Sequence, residues 1–140
     1  MNKYLHILIV EDDIRLQYSL TRLLLRFSPN SVVSWVTTGD EVFEKIWGNT
    51  SSQYRRIDLV ITDILLPGGY SGLQIWRRCN NSRPRVPCIM MSGMGIDEYF
   101  LAVKNDSVMP LYLPKPFSAL EFMRTLEKTL NHEQSGDEAA

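Results

Sequence analysis

Two kinds of hydrophobic pattern alternate along this chain. His6–Val10, Leu59–Asp63 and Val86–Met91 are short, almost unbroken apolar runs, each followed or ended by acids or turn residues. Runs of that length predict strands buried on both faces, as at the centre of a parallel sheet covered by helices. Elsewhere the period lengthens. Leu16, Leu20, Leu23, Leu24 and Phe27 recur at helical spacing, with Arg15, Arg22 and Arg26 off the stripe. Ser31–Val36 predicts a second strand, and Thr38-Gly39-Asp40 opens a second helix carrying Val42, Phe43 and Ile46. Ser71–Cys79 predicts a third helix with Leu73 and Trp76 on one side, and a fourth falls within Asp97–Lys104. Met109–Leu113 is a weak fifth strand, and Pro110 and Pro114 place it at a sheet edge because proline cannot donate to a ladder. Ser118 with Glu121 reads as a capping box for a last helix, its buried stripe expected at Leu120, Met123, Leu126 and Leu130.

A strand followed by a helix, five times over, predicts an α/β fold: a flavodoxin-like (βα)5 three-layer sandwich with a parallel sheet in the order 2-1-3-4-5. The folded domain is expected to span residues 1–130. Residues 131–140 turn polar and acidic and are expected to be a disordered tail.

Composition changes this picture little. The 140 residues suit one domain, and a net charge of −1 gives no general attraction to nucleic acid or an anionic membrane. Neither is expected as a partner. Cys79 and Cys88 lack a metal-ligand spacing and read as reduced thiols. No apolar run reaches the length of a signal core or a membrane span, so a cytoplasmic location is expected.

The expected strand order matters more. It sets strands 1 and 3 side by side, which brings Glu11 and Asp12 to the same sheet end as Asp63. Three carboxylates there repel one another unless a cation compensates, and a set of hard oxygen donors without His or Cys points to Mg²⁺. Asp13 is better read as the N-cap of the first helix. Lys115, after strand 5, and Ser92, ending strand 4, reach the same pocket from its other side. An ammonium and a hydroxyl beside a metal-bound carboxylate suit a transferring phosphoryl group, with Asp63 as nucleophile forming an acyl phosphate and Gly93 leaving room for its oxygens.

The run Ile7-Leu8-Ile9-Val10-Glu11-Asp12-Asp13, the run Asp58-Leu59-Val60-Ile61-Thr62-Asp63 with Pro67 and Gly72, then Ser92-Gly93 and Lys115-Pro116-Phe117, resemble the receiver domains of two-component response regulators. The resemblance covers nearly all of the folded part. It implies that Asp63 accepts a phosphoryl group from a histidine kinase or phosphotransfer protein, in a self-catalysed transfer rather than as an enzyme acting on other substrates. It implies that Glu11, Asp12, Asp63 and the backbone carbonyl of Leu65 hold Mg²⁺, that Ser92 and Lys115 bind phosphoryl oxygens, and that the Lys115–Pro116 bond is cis. Tyr112 matches the aromatic residue that such domains couple to the strand 4 hydroxyl, here Ser92, in switching the helix 4, strand 5 and helix 5 face. A downstream effector protein or domain, or a phosphorylation-dependent dimer, would read that face.

Three departures from the pattern carry expectations of their own. The loop Gly68-Gly69-Tyr70-Ser71-Gly72 is one residue longer than usual, and Asn105–Pro110 replaces the usual Gly-Ala before strand 5. Leu65 and Met94, two residues after Asp63 and Ser92, are apolar where a polar group would orient an attacking water, which predicts a long-lived phosphorylated state. The alternatives are a pseudo-receiver that docks a partner without phosphorylation, and a Mg²⁺-dependent phosphohydrolase. The second lacks an acid two residues after the nucleophile, where Leu65 stands. A nucleotide or flavin domain is disfavoured because Glu11-Asp12-Asp13 sits where a phosphate-cradling glycine loop is needed.

Overall fold

Alternate residues of the central strands feed two different cores. In β1 (His6–Val10), Ile7 and Ile9 enter one hydrophobic cluster while Leu8 and Val10 enter another. The same division runs through β3 (Leu59–Asp63), where Leu59 and Ile61 oppose Val60, and β4 (Cys88–Ser92), where Ile89 and Met91 oppose Cys88 and Met90. Successive strand residues point to opposite faces, so only a sheet covered on both sides explains unbroken apolar runs. The computed structural model describes residues 4–48, 56–106 and 110–139, with side chains as far as Asn131.

The sheet is parallel, in the order β2-β1-β3-β4-β5, as the pattern predicts. One face is covered by α1 (Ile14–Phe27) and α5 (Ala119–Ala139), which contribute Leu20, Leu24, Phe122 and Leu126 to their core. The other is covered by α2 (Gly39–Trp47), α3 (Gly72–Asn81) and α4 (Ile96–Val103), which contribute Val42, Ile75, Trp76, Cys79, Tyr99 and Val103. The remaining strands are β2 (Val32–Val36) and β5 (Tyr112–Pro114), and both are sheet edges. Edge position agrees with the half-exposed Val32 and Trp35 of β2 and with Pro114 in β5. Met109, where strand 5 was expected to begin, lies outside the described residues, as do residues 49–55 of the loop before β3.

Caps set the helix starts. Asp13 Oδ1 accepts from the Arg15 amide at 2.9 Å, Thr38 caps α2, and Ser71 forms a reciprocal capping box with Gln74 on α3. The Glu121 amide donates to Ser118 Oγ at 3.1 Å, as expected from their spacing.

Two features of α5 differ from the expected ones. Its buried stripe is Phe122, Leu126, Thr129 and Leu130, while Leu120 is 58% exposed. Positions 122, 126, 129 and 130 fall on one helical face, whereas 120 and 122 lie more than half a turn apart, so burying Phe122 turns Leu120 outward. Phe122 also stacks on Phe117 at 5.8 Å, an aromatic anchor that a count of aliphatic spacing passes over. The helix backbone continues to Ala139, through residues read as a disordered tail. Glu133, Gln134, Glu138 and Ala139 are good helix formers, while Asn131, His132, Ser135, Asp137 and above all Gly136 are poor ones, so propensity alone does not announce this last part of the helix.

The altered segment before β5 has a brace of its own. The Arg77 guanidinium on α3 forms a fork with Asp106, Nε to Oδ1 and Nη2 to Oδ2, both at 3.1 Å. It ties the end of α4 to α3 in the two-bond geometry that makes arginine–carboxylate pairs directional.

Candidate functional site

Four strands deliver the site. β1 ends immediately before Glu11, β3 ends at Asp63, β4 ends at Ser92, and Lys115 follows β5. Val10 lies opposite Thr62, Asp63 opposite Met91 and Ser92 opposite Pro114, so the register brings these ends to one edge. The Lys115 amide donates to the Ser92 carbonyl at 2.8 Å, which fixes where its side chain starts.

That side chain bridges two carboxylates. Lys115 Nζ donates to Asp63 Oδ2 at 2.8 Å and to Glu11 Oε2 at 3.1 Å. Glu11 is 2% exposed and is held further by the Asp13 amide on Oε1 at 3.1 Å. Asp63 is also buried, and its Oδ1 accepts from the Leu65 amide at 3.2 Å. Burial pushes the Glu11 carboxyl up from its ordinary value, against the opposing pull of Lys115 and the Asp13 amide. Burial alone would lower the Lys115 ammonium, yet its hydrogen bonds to Asp63 and Glu11 outweigh that and raise it. The ammonium is therefore firmly protonated at neutral pH, between two acids.

The other residues singled out by the sequence stand around this centre. Asp12 is exposed and has no hydrogen bond to the Lys115 cluster among the described residues. Among those residues no three acids or other metal-binding side chains lie close enough to form a ready metal site. Ser92 is buried, and its hydroxyl oxygen accepts from the Met94 amide at 3.1 Å instead of meeting Asp63 or Lys115. A β-carbon added at Gly93 would meet nothing within 4 Å, so the space beside Ser92 is open. The Lys115–Pro116 bond is cis, and so is Arg83–Pro84.

Tyr112 faces the β4–α4 loop. Its hydroxyl lies 2.6 Å from the Met94 carbonyl and 3.1 Å from that of Ser92, and its ring stacks on Tyr99 of α4 with centroids 4.1 Å apart and planes at 12°. Tyr99 in turn donates to the Pro110 carbonyl at 2.6 Å. Tyr99 is not conspicuous in the sequence, where its only signal is an aromatic residue inside a short amphipathic helix. Burial, then the nearby Tyr112 and Asp106, push the Tyr99 hydroxyl up to about 12. A group raised in the folded state contributes stability that is complete below its unfolded value near 10 and is lost as pH rises through the folded value. Urea midpoints should therefore fall between about pH 10 and 12, and Tyr99→Phe should flatten that fall.

A model of the response regulator receiver domain matches residues 7–127. The chain belongs to this family. Relatives of the receiver domain include the uncharacterized transcriptional regulatory protein YbdJ of Bacillus subtilis, 31% identical over 90% of this chain and 51% of that protein. The DNA-binding transcriptional regulator NtrC of Azospirillum brasilense is 32% identical over 89% of this chain and 24% of its own length. The receiver domain thus spans about half or a quarter of these curated relatives. In structure it resembles a CheY-like receiver domain protein from Methanospirillum hungatei, with a TM-score of 0.74 at 23% identity, covering 96% of this chain and 99% of that one. A receiver domain from Clostridium thermocellum gives 0.71 at 24% identity, covering 93% and 97%. No helix among the described residues of the receiver domain is long and apolar enough to cross a membrane.

Proposed function

We propose that this receiver domain is a phosphorylation-dependent signalling switch in which Asp63 accepts a phosphoryl group from a histidine kinase or histidine phosphotransfer protein. The observation that carries this reading is the Lys115 ammonium on Asp63 Oδ2 at the carboxyl edge of the sheet. An Asp63 oxygen forms the new bond to phosphorus as the donor's bond to its imidazole breaks, and Lys115 is in place to neutralise the phosphoryl oxygens as charge moves. Gly93 leaves space on the far side, where Ser92 can donate its hydroxyl proton to a phosphoryl oxygen. The domain turns over no other substrate.

Glu11, Asp12, Asp63 and the Leu65 carbonyl are hard oxygen donors, a set that fits Mg²⁺. Glu11 and Asp63, two buried acids on the single Lys115 ammonium, leave a net negative charge that a divalent cation would balance, with Asp12 standing at the exposed side of that pair. Bound there, Mg²⁺ would supply further neutralisation of the transferring group. Tyr112 links this chemistry to the surface. Its hydroxyl rests on the carbonyls beside Ser92, and its ring rests on α4, so a shift of the Ser92 loop is felt along the α4–β5–α5 face read by a downstream effector or a second copy. A groove of about 560 Å³ beside the site, with Arg15, Leu16, Ser19 and Phe117 in its walls, offers the phosphodonor a surface next to Lys115.

Intact-mass analysis after incubation with Mg²⁺ and acetyl phosphate tests the reading. One phosphoryl adduct is expected, absent in Asp63→Asn. Its decay should be slow, because Leu65 and Met94 cannot orient water. No adduct on the wild type, or an equal adduct on Asp63→Asn, would overturn the assignment in favour of a docking module that works without phosphorylation.

A further inference from the structure

The β3–α3 loop is tethered at a point that the chemistry above does not use. At its ends it is held by the Leu65 amide on Asp63 and by the Gly72 amide on the Ile64 carbonyl at 2.8 Å. Between them lie Gly68, with φ of 95°, and Gly69, a pair that on its own would act as a hinge. The residue that follows removes that freedom. Tyr70 stacks on Phe43 of α2, centroids 4.1 Å apart and planes at 20°. Its backbone presses so closely on Gly39 that a β-carbon there would come within 2.7 Å of both Tyr70 Cβ and its carbonyl oxygen. Phe43 continues the contact to Trp47 at 5.1 Å, and the Arg78 guanidinium of α3 covers the Trp47 ring at 5.2 Å. An aromatic ladder thus runs from the loop along α2 to α3.

We propose that Tyr70 is a positioning residue for the phosphoacceptor loop, pinning the longer loop to α2 through Phe43 so that the Leu65 backbone stays beside Asp63. The proposal rests on the reading of Asp63 as phosphoacceptor. The Leu65 side chain adds no anchor to that amide bond, since the residue is 68% exposed. The added loop length and the tyrosine that anchors it are parts of one device: the glycines let the chain reach α2, and Tyr70 stops it there. Stacked aromatic pairs of this kind shift an equilibrium by about threefold to tenfold.

Hydrogen exchange at the Leu65 and Leu66 amides, without Mg²⁺ or phosphodonor, tests the tether directly. Tyr70→Ala should speed exchange there by about threefold to tenfold, leave the β1 amides unchanged, and slow the modification of Asp63 by acetyl phosphate by a similar factor. Tyr70→Phe should restore both, and Gly39→Ala, which displaces Tyr70 without touching Asp63, should reproduce the defect. Wild-type exchange in Tyr70→Ala would overturn the proposal, as would faster exchange spread equally over β1, which marks a general loss of stability. If the wild type takes no phosphoryl group, the phosphoacceptor reading fails and the positioning role with it, while the exchange result still reports whether Tyr70 holds the loop.

Discussion

Lys115→Met is expected to slow phosphorylation of Asp63 by about a hundredfold to a thousandfold, the usual cost of removing one preorganised electrostatic contact to a reacting group. The ammonium is the only cation that hydrogen-bonds to either buried carboxylate among the described residues, at 2.8 Å from Asp63 and 3.1 Å from Glu11. Without it, developing charge on the phosphoryl oxygens faces two acids with nothing opposite. The Glu11 carboxyl, already raised by burial, loses a partner that lowers it and moves further up. Methionine keeps most of the length of the lysine stem, so the change removes the charge with little loss of volume. Time courses of intact mass with acetyl phosphate measure the effect, and a rate within about threefold of wild type would show that Lys115 does not serve the transferring group.

Gly72→Ala is expected to destabilise the fold by about 3 kcal/mol or more, a large effect for the addition of one methyl group. The new β-carbon would lie 2.0 Å from the Asp63 carbonyl oxygen and 2.8 Å from Ile64 Cα, and these are backbone atoms that cannot swing aside. Relief requires α3 to move off β3, which breaks the bond from the Gly72 amide to the Ile64 carbonyl and displaces the strand end that carries Asp63. Urea denaturation measures the loss, and phosphorylation should fail in whatever remains folded. A midpoint equal to wild type would mean that the approach of α3 to β3 is looser than described.

The parts of this molecule legible in its sequence are those written in short-range pattern. β1, β3 and β4 stand out because burial on both faces leaves no polar position to blur the run, and Asp63 is conspicuous as the acid that ends one. Lys115 becomes legible once β5 is recognised as an edge by its prolines. Other features depend on contacts between distant residues, for which no period exists. Tyr70 on Phe43 and Tyr112 on Tyr99 join different elements, and nothing in the spacing of either pair announces it. Glu11 and Asp12 show the limit at closer range. Adjacent residues at a strand end point in different directions, so two neighbouring acids are equal candidates in the sequence, yet one is buried on Lys115 and the other faces solvent. The stripe of α5 is legible at Leu126 and Leu130 and fails only at its first turn: Leu120 and Phe122 are both apolar, and only the fit of Phe122 against Phe117 and the sheet decides which turns inward.

The most direct test of the central claim is to find the phosphorylated atom. Borohydride reduction of the acetyl phosphate-treated protein converts an aspartyl phosphate to homoserine, and peptide mass mapping then locates it. Homoserine at position 63 alone is the result this account predicts. Homoserine at Asp12 or another carboxylate, or at none, would contradict it.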